Sequence, residues 1–333
     1  MFWKKKQKQL IENEQARLNG LPKIGLVLDG GGARGPFQLG VFLALEKFGL
    51  RKEIVGISGA SIGGFMTVMS GYEDITKAYD LWKNISQKVI MPLKESKLKA
   101  LTKTLTRKQG MFSRDKLCEY IKANIDLHEL VNNVSYPIYL SLAQLVEDEK
   151  GREQGYNACY QKINGMSSEE ILTYLLATSA IPYVFDPVKI GNNIYVDPMK
   201  ADNEPVQPLL EACPTMDMVF IIPLNNSHYK HHYGQNFPYP IVDFEVSEMM
   251  DQPKLNMLDF TPENAEYYIS LGYQTARLLL SWMKNNNFLH PLSAEMLQKS
   301  RKPYYSLKSM GITSLTFAKM SLSEVKEDSR LHV

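Results

Sequence analysis

Cysteine is scarce in this chain of 333 residues, and Cys118, Cys159 and Cys213 lie far apart. An odd, scattered set without Cys-x-x-Cys spacing argues against a disulfide framework or a zinc site and fits a reducing compartment. Long apolar runs are also missing. No stretch approaches the ~18 residues that a membrane-spanning helix needs. The opening Met1-Phe2-Trp3-Lys4-Lys5-Lys6 is basic, but no apolar run follows it, which argues against a secretory signal. Nor is there an excess of one charge: 38 Lys+Arg against 36 Asp+Glu leave +2, so nothing global calls for nucleic acid or a very acidic partner. Internal repeats and low-complexity tracts are absent. What is present is 44% apolar and 22% charged, the composition of a globular chain with a substantial core. The expectation is a soluble, cytoplasmic protein.

The pattern of elements points to an α/β fold. Residues 1–20 form a polar prelude with Leu10, Ile11 and Leu18 spaced as on a weak amphipathic helix, closed by Gly20 and Pro22. The apolar run Ile24 to Leu28 reads as a buried strand, and Pro36 opens a helix, Phe37 to Phe48, that is apolar on nearly every side. A second strand, Ile54 to Ser58, runs into another apolar helix. Strand, glycine turn and helix twice within about 50 residues predict βαβ units and a largely parallel sheet. Further on, Pro137 to Ala143 and Met218 to Leu224 read as strands, and Val188–Ile190 with Ile194–Val196 as a hairpin about Gly191. Ser167 and Glu170 form a capping box, and Thr261-Pro262-Glu263 starts a helix running to about Lys284. Residues 225–260 show no clear periodicity, which leaves a lid and plain surface packing both open.

Two glycine turns carry the chemistry. Gly59-Ala60-Ser61-Ile62-Gly63 sits between a strand and a helix. A serine there must occupy a very tight turn if its oxygen is to project, and glycines two before and two after remove the Cβ atoms that would clash. The strand before it and the apolar helix after it favour a nucleophile over a plain turn. Asp29-Gly30-Gly31-Gly32-Ala33-Arg34-Gly35 also fits the dinucleotide fingerprint Gly-x-Gly-x-x-Gly. That use requires an acidic residue at the end of the second strand, and Glu53 instead precedes it. Successive glycine N–H groups at a helix start can equally form an oxyanion hole, and an anion cradle suits a neighbouring serine nucleophile better.

Serine needs a base. None of the six histidines (His128, His228, His231, His232, His290 and His332) sits at a clear strand end. Asp197 ends the run Ile194-Tyr195-Val196, with Pro198 forcing a turn after it. Local sequence leaves base and turn initiator open alike.

Together these residues resemble the patatin-like phospholipase family over roughly residues 23 to 285. Asp29 to Gly35 is similar to its oxyanion loop, with Arg34 and Gly35 in place, and Gly59 to Gly63 to its nucleophile elbow. Gly110-Met111-Phe112, Ala177-Thr178-Ser179-Ala180-Ile181-Pro182, Asn203-Glu204-Pro205 and Leu271-Gly272-Tyr273 are similar to further landmarks in family order. The resemblance implies a three-layer α/β/α fold with a largely parallel sheet and a Ser–Asp dyad of Ser61 and Asp197, without histidine. It further implies that Gly30, Gly31 and Gly32 hold the oxyanion, with the Ile62 amide as an added donor and Gly59 and Gly63 supporting the elbow. Pro198-Met199 stands where the family usually has Gly-Gly or Gly-Ala after the aspartate. The implied organisation is an N-terminal helical arm (1–22), an acyl hydrolase domain (23–290) and a C-terminal extension (291–333).

The implied activity is that of a phospholipase or lysophospholipase. An esterase of the same fold acting on neutral lipids and a non-catalytic lipid-binding protein are the alternatives, with a nucleotide-binding protein third. The implied partner is a phospholipid or other acyl-ester lipid; no metal and no cofactor is expected. Residues 83–108 hold eight Lys or Arg against Glu95 alone, with Leu98, Leu101 and Leu105 at helical spacing. That segment suits peripheral contact with an anionic membrane surface, or a solvated helix with a core stripe.

Overall fold

The computed structural model describes residues 20–92, 110–225, 237–245, 257–299, 301–311 and 320–330. The expected N-terminal helix and most of the basic segment 83–108 lie outside those residues. A single mixed sheet organises the rest. Its strands are β1 (Ile24–Leu28), β2 (Ile54–Gly59), β3 (Ile138–Glu147), β4 (Glu153–Lys162), β5 (Val188–Ile190), β6 (Asn193–Val196), β7 (Met218–Ile222), β8 (Ile241–Asp243) and β9 (Tyr304–Tyr305). The spatial order is β5-β6-β3-β2-β1-β7-β8-β9, with β4 on the other edge of β3. From β3 to β9 along this path the neighbours are parallel; β4 and β6 run antiparallel to β3.

Helices cover both faces, making three layers. Alternation along β1 explains why: Ile24, Leu26 and Leu28 pack into one core, while Val27 packs into a second with Leu209, Cys213 and Met216. The larger core lies under helix α1 (Pro36–Lys47), buried from Pro36 to Leu45. It is crossed by helix α4 (Pro262–Asn285), whose N-cap Thr261 accepts the Asn264 N–H. Glycines set how close they come. A Cβ on Gly40 would lie 2.1 Å from the Ile269 carbonyl oxygen, and one on Gly272 would lie 2.0 Å from that of Phe37. The glycine of Leu271-Gly272-Tyr273 is therefore a contact residue between helices. Helix α2 (Ile62–Met69) follows β2, and helix α3 (Ser168–Thr178) opens on the expected capping box at Ser167.

Some elements go beyond the sequence reading. β4 was not anticipated, because it is mostly exposed or half-buried on both faces and so carries no apolar alternation. The irregular stretch 225–260 contains β8, three buried residues that are too few to show a period. Residues beyond 290 contribute β9 to the same sheet and helix α5 (Leu322–Arg330), which packs against α1 and α4. There Asp328 receives Lys47 Nζ at 2.7 Å and the Tyr273 hydroxyl, at the end of α1 remote from Pro36.

Candidate active site

The register places the two glycine turns side by side. Leu28 pairs with Gly59, so the loops leaving β1 and β2 start at one level. The Ala60 N–H donates to the Leu28 carbonyl at 3.0 Å, tying elbow to loop. Ser61 has φ +52° and ψ −120°, a strained conformation for a non-glycine residue, and it caps α2. The flanking glycines are required by contact. A Cβ on Gly59 would lie 2.4 Å from the Gly63 carbonyl oxygen, and one on Gly63 would lie 2.3 Å from that of Leu28. Gly30 faces the serine directly, since a Cβ there would be 3.0 Å from Ser61 Cβ. Ser61 is 5% exposed.

Asp197 reaches the same place through β3. One edge of β3 is fully occupied by β4. Along the other, β2 pairs as far as Leu140 and antiparallel β6 pairs from Ala143 onward. The ends of β2 and β6 therefore approach each other head-on, separated by about three residues or ~10 Å of β3. Ser61 leaves one end and Asp197 the other. The end of α3 and the residues after it hold both: Thr178 Oγ1 accepts the Ser61 N–H at 2.9 Å, and the Ala180 carbonyl accepts the Asp197 N–H at 3.0 Å.

The Asp197 carboxyl is 2% exposed. Its Oδ1 accepts the Met199 N–H at 3.0 Å. Its Oδ2 is buried and closes no hydrogen bond. Burial pushes its pKa up to about 6, against the favourable pull of the Ser61 side chain and the Met199 amide. The serine thus lies within range of the carboxylate without a fully formed bond to it, as is common where a site awaits substrate. Pro198 opens a single 3₁₀ turn (Pro198–Lys200), and Asp197 is extended, as a residue before proline must be. The departure from glycine leaves the carboxylate beside Ser61.

The glycine loop is braced from below. Asp29 is fully buried; its carboxylate accepts the Leu224 N–H at 3.0 Å and Asn225 Nδ2 at 3.3 Å, and it also receives Asn203 Nδ2. Burial lifts its pKa to about 7, opposed by the hydrogen bonds from Leu224 and Asn225. The Gly30 N–H donates to the Asn203 carbonyl at 3.3 Å, so of the three expected oxyanion donors this one is already engaged. Among the described residues the N–H groups of Gly31, Gly32 and Ile62 donate no hydrogen bond. Arg34 is buried and donates to the Leu224 carbonyl at 2.9 Å and to Asn225 Oδ1 at 3.4 Å, holding the loop in place. Gly35 is also a contact residue, for a Cβ there would meet Ile62 Cγ1 at 2.4 Å.

Sequence reasoning named Ser61, Asp197 and the loop but not Thr178, Asn203 and Asn225 as the residues that position them. Thr178 and Asn203 lie inside quoted landmarks; Asn225 carried no signal. Of the histidines, His128 faces the Met166 carbonyl and His290 that of Pro291, while the other four lie outside the described residues. Among the described residues no group of three or more His, Cys, Asp or Glu could hold a metal, and no helix is long and apolar enough to cross a membrane.

A strained serine turn thus stands beside a glycine loop at the ends of adjacent parallel strands in a three-layer fold. The chain belongs to the patatin-like phospholipase family, whose model matches residues 26–210. It is 25% identical over 244 residues to the probable lipid hydrolase 463L of Invertebrate iridescent virus 6, spanning 69% of this chain and 79% of that protein. It is 44% identical over 64 residues to the lysophospholipase NTE1 of Phaeosphaeria nodorum, covering 19% of this chain and 4% of that much longer protein. Human GIVD cytosolic phospholipase A2 shares the fold, with a TM-score of 0.50 at 10% identity over 80% of this chain and 60% of that one.

Proposed function

We propose that this chain is a serine lipid acyl hydrolase acting through a Ser61–Asp197 dyad. Ser61 Oγ attacks the ester carbonyl while Asp197 Oδ2 accepts its proton. The C–O bond to the leaving alcohol breaks as that proton passes to it from Asp197, leaving an acyl-enzyme. Water, deprotonated by the same carboxylate, then releases the fatty acid and restores Ser61. The uncommitted amides of Gly31 and Gly32, with that of Ile62, receive the oxyanion; each such donor contributes roughly 3 kcal/mol to the transition state.

The observation that carries this reading is the buried Asp197 Oδ2, left without a hydrogen-bond partner beside the strained Ser61. A carboxylate with a pKa of about 6 is mostly ionised at neutral pH yet basic enough to take a proton. The names of the lysophospholipase and lipid hydrolase relatives support an acyl-ester lipid as substrate. Labelling with a fluorophosphonate serine probe tests the reading. The expected result is stoichiometric modification at Ser61 that disappears in Ser61→Ala; a folded, unlabelled parent would leave a non-catalytic lipid-binding protein instead.

A further inference from the structure

Among the described residues only three large hydrophobic side chains are exposed: Tyr183 at 56%, Met199 at 52% and Met257 at 37%. Isolated exposed apolar residues are ordinary, but these three are not scattered. Met199 is two residues from Asp197 and donates its N–H to that carboxylate. Tyr183 follows Ala180, whose carbonyl holds the Asp197 N–H, by three residues. Met257 lies on the glycine loop: its carbonyl accepts the Ala33 N–H at 2.7 Å, and its oxygen would be 2.2 Å from a Cβ on Gly32. At no more than ~3.8 Å between successive Cα atoms, Met199 lies within about 8 Å of Asp197 and Tyr183 within about 12 Å of Ala180, while Met257 touches the loop directly. Tyr183 is also held at φ +67°, a left-handed conformation that a bulky side chain adopts only under constraint. Its carbonyl is pinned by the Met111 N–H at 3.1 Å.

We infer that Tyr183, Met199 and Met257 form an apolar rim around the mouth of the Ser61 site that inserts into a lipid surface. Three separate chain segments that touch the dyad or the glycine loop each present one large exposed apolar side chain. Lys200, next to Met199, is exposed and has no ion-pair partner among the described residues, so a cation stands beside the apolar rim. Apolar side chains flanked by an unpaired lysine match the acyl region and phosphate layer of a bilayer leaflet. A soluble substrate entering the site gives no reason for such a rim. The inference rests on the acyl-lipid reading of the site but concerns docking rather than chemistry.

The test uses the full chain carrying Ser61→Ala, so that binding is read without hydrolysis. Flotation with phosphatidylcholine vesicles containing a minor anionic lipid is compared for this protein and for its Tyr183→Asn, Met199→Gln and Met257→Gln variants. Asparagine tolerates the positive φ at 183. Each single change is expected to lower partitioning about three- to tenfold, and the triple change more than any one. Lys200→Gln is expected to reduce the salt sensitivity of binding. Unaltered melting temperatures separate docking from folding, and the single variants decide the matter if the triple variant does not fold. Vesicle binding that survives all three changes, or a Ser61→Ala protein that stays off vesicles, overturns the inference. So does a concentration-dependent dimer that the same changes dissolve while vesicle binding persists. Fluorophosphonate labelling of the parent is independent of these outcomes: rim-dependent binding without labelling would discard the hydrolase and keep the docking surface.

Discussion

Thr178 bridges Ser141 and Ser61: its hydroxyl donates to the Ser141 carbonyl at 2.7 Å and accepts the Ser61 N–H at 2.9 Å. Donating in one direction fixes the hydroxyl lone pairs in the other, so the sheet dictates where the strained elbow is anchored. Thr178→Val keeps the shape and removes both bonds. It is expected to cost about 1–3 kcal/mol of stability and to lower kcat about tenfold or more with little change in KM. Thr178→Ser is expected to restore kcat. A valine variant with the parent's kcat and thermal midpoint would mean that the elbow holds itself.

The pH dependence follows from the raised Asp197 pKa. In the proposed mechanism Asp197 must be ionised, so kcat/KM on a soluble short-chain ester is expected to fall about tenfold per unit below its pKa of about 6. Stability should move the opposite way. With the folded pKa above the ordinary value of 3.8, the folded state holds the proton more tightly, and the contribution present below pH ~4 is lost as pH rises through about 6. Asp197→Asn removes that loss, so its stability relative to the parent should grow between pH 4 and pH 7 by up to about 3 kcal/mol. The same variant should lose about 10²–10⁴ in kcat. Denaturant melts at pH 4.5 and 7.5 measure the first effect, and ester hydrolysis the second.

Two glycines near the serine separate folding from catalysis. Gly63→Ala drives a methyl into the Leu28 backbone, which cannot yield without disturbing β1, and should cost several kcal/mol, roughly 2–4. Gly30→Ala meets the Asn203 side-chain oxygen and Ser61 Cβ, so its strain falls on the site itself. Gly30→Ala is expected to lose far more activity than stability, and Gly63→Ala to expose little soluble protein at all. Comparing soluble yield, melting temperature and fluorophosphonate labelling rate for the two variants checks this.

The C-terminal helix is secured at Asp328. Burial alone would raise the pKa of this carboxyl, but hydrogen bonds from Lys47 and Tyr273 and the charges of Lys47 and Arg277 bring it below its ordinary value. That stabilisation is present above the ordinary carboxylate pKa and is lost as pH falls through the lowered one. Because Asp328 and Lys47 retain some solvent contact, Asp328→Ala should cost only about 1 kcal/mol. Ester hydrolysis should not change, since the contact lies at the end of α1 remote from the glycine loop. Limited proteolysis near residue 320 and steady-state kinetics together check both halves.

Much of this site was legible because its signals are local. Gly59, Ser61 and Gly63 write a backbone conformation into five consecutive residues, and Gly30 to Gly35 do the same for the loop. Asp197 was only partly legible: a strand-ending aspartate before proline has a local explanation, and its partner is set by which edge of β3 receives β6. Thr178 and Asn203 act through bonds to residues 117 and 174 positions away, to Ser61 and Asp29, and no window of sequence contains such a pair. β8 and β9 escaped notice for a different reason. At three and two residues, they owe their existence to the neighbouring strand rather than to any periodicity of their own.

The meeting of β2 and β6 along one edge of β3 has a consequence for how this chain can vary. A single-residue insertion within Ile194–Val196 would turn the aspartate to the opposite side of the sheet, whereas extra residues at the Asp148–Gly151 bend or around Gly191 leave its alignment untouched. Length changes among homologues should therefore gather at those bends, and the placement of Asp197 against Ser61 is inherited through strand pairing, not through the loops that join the strands.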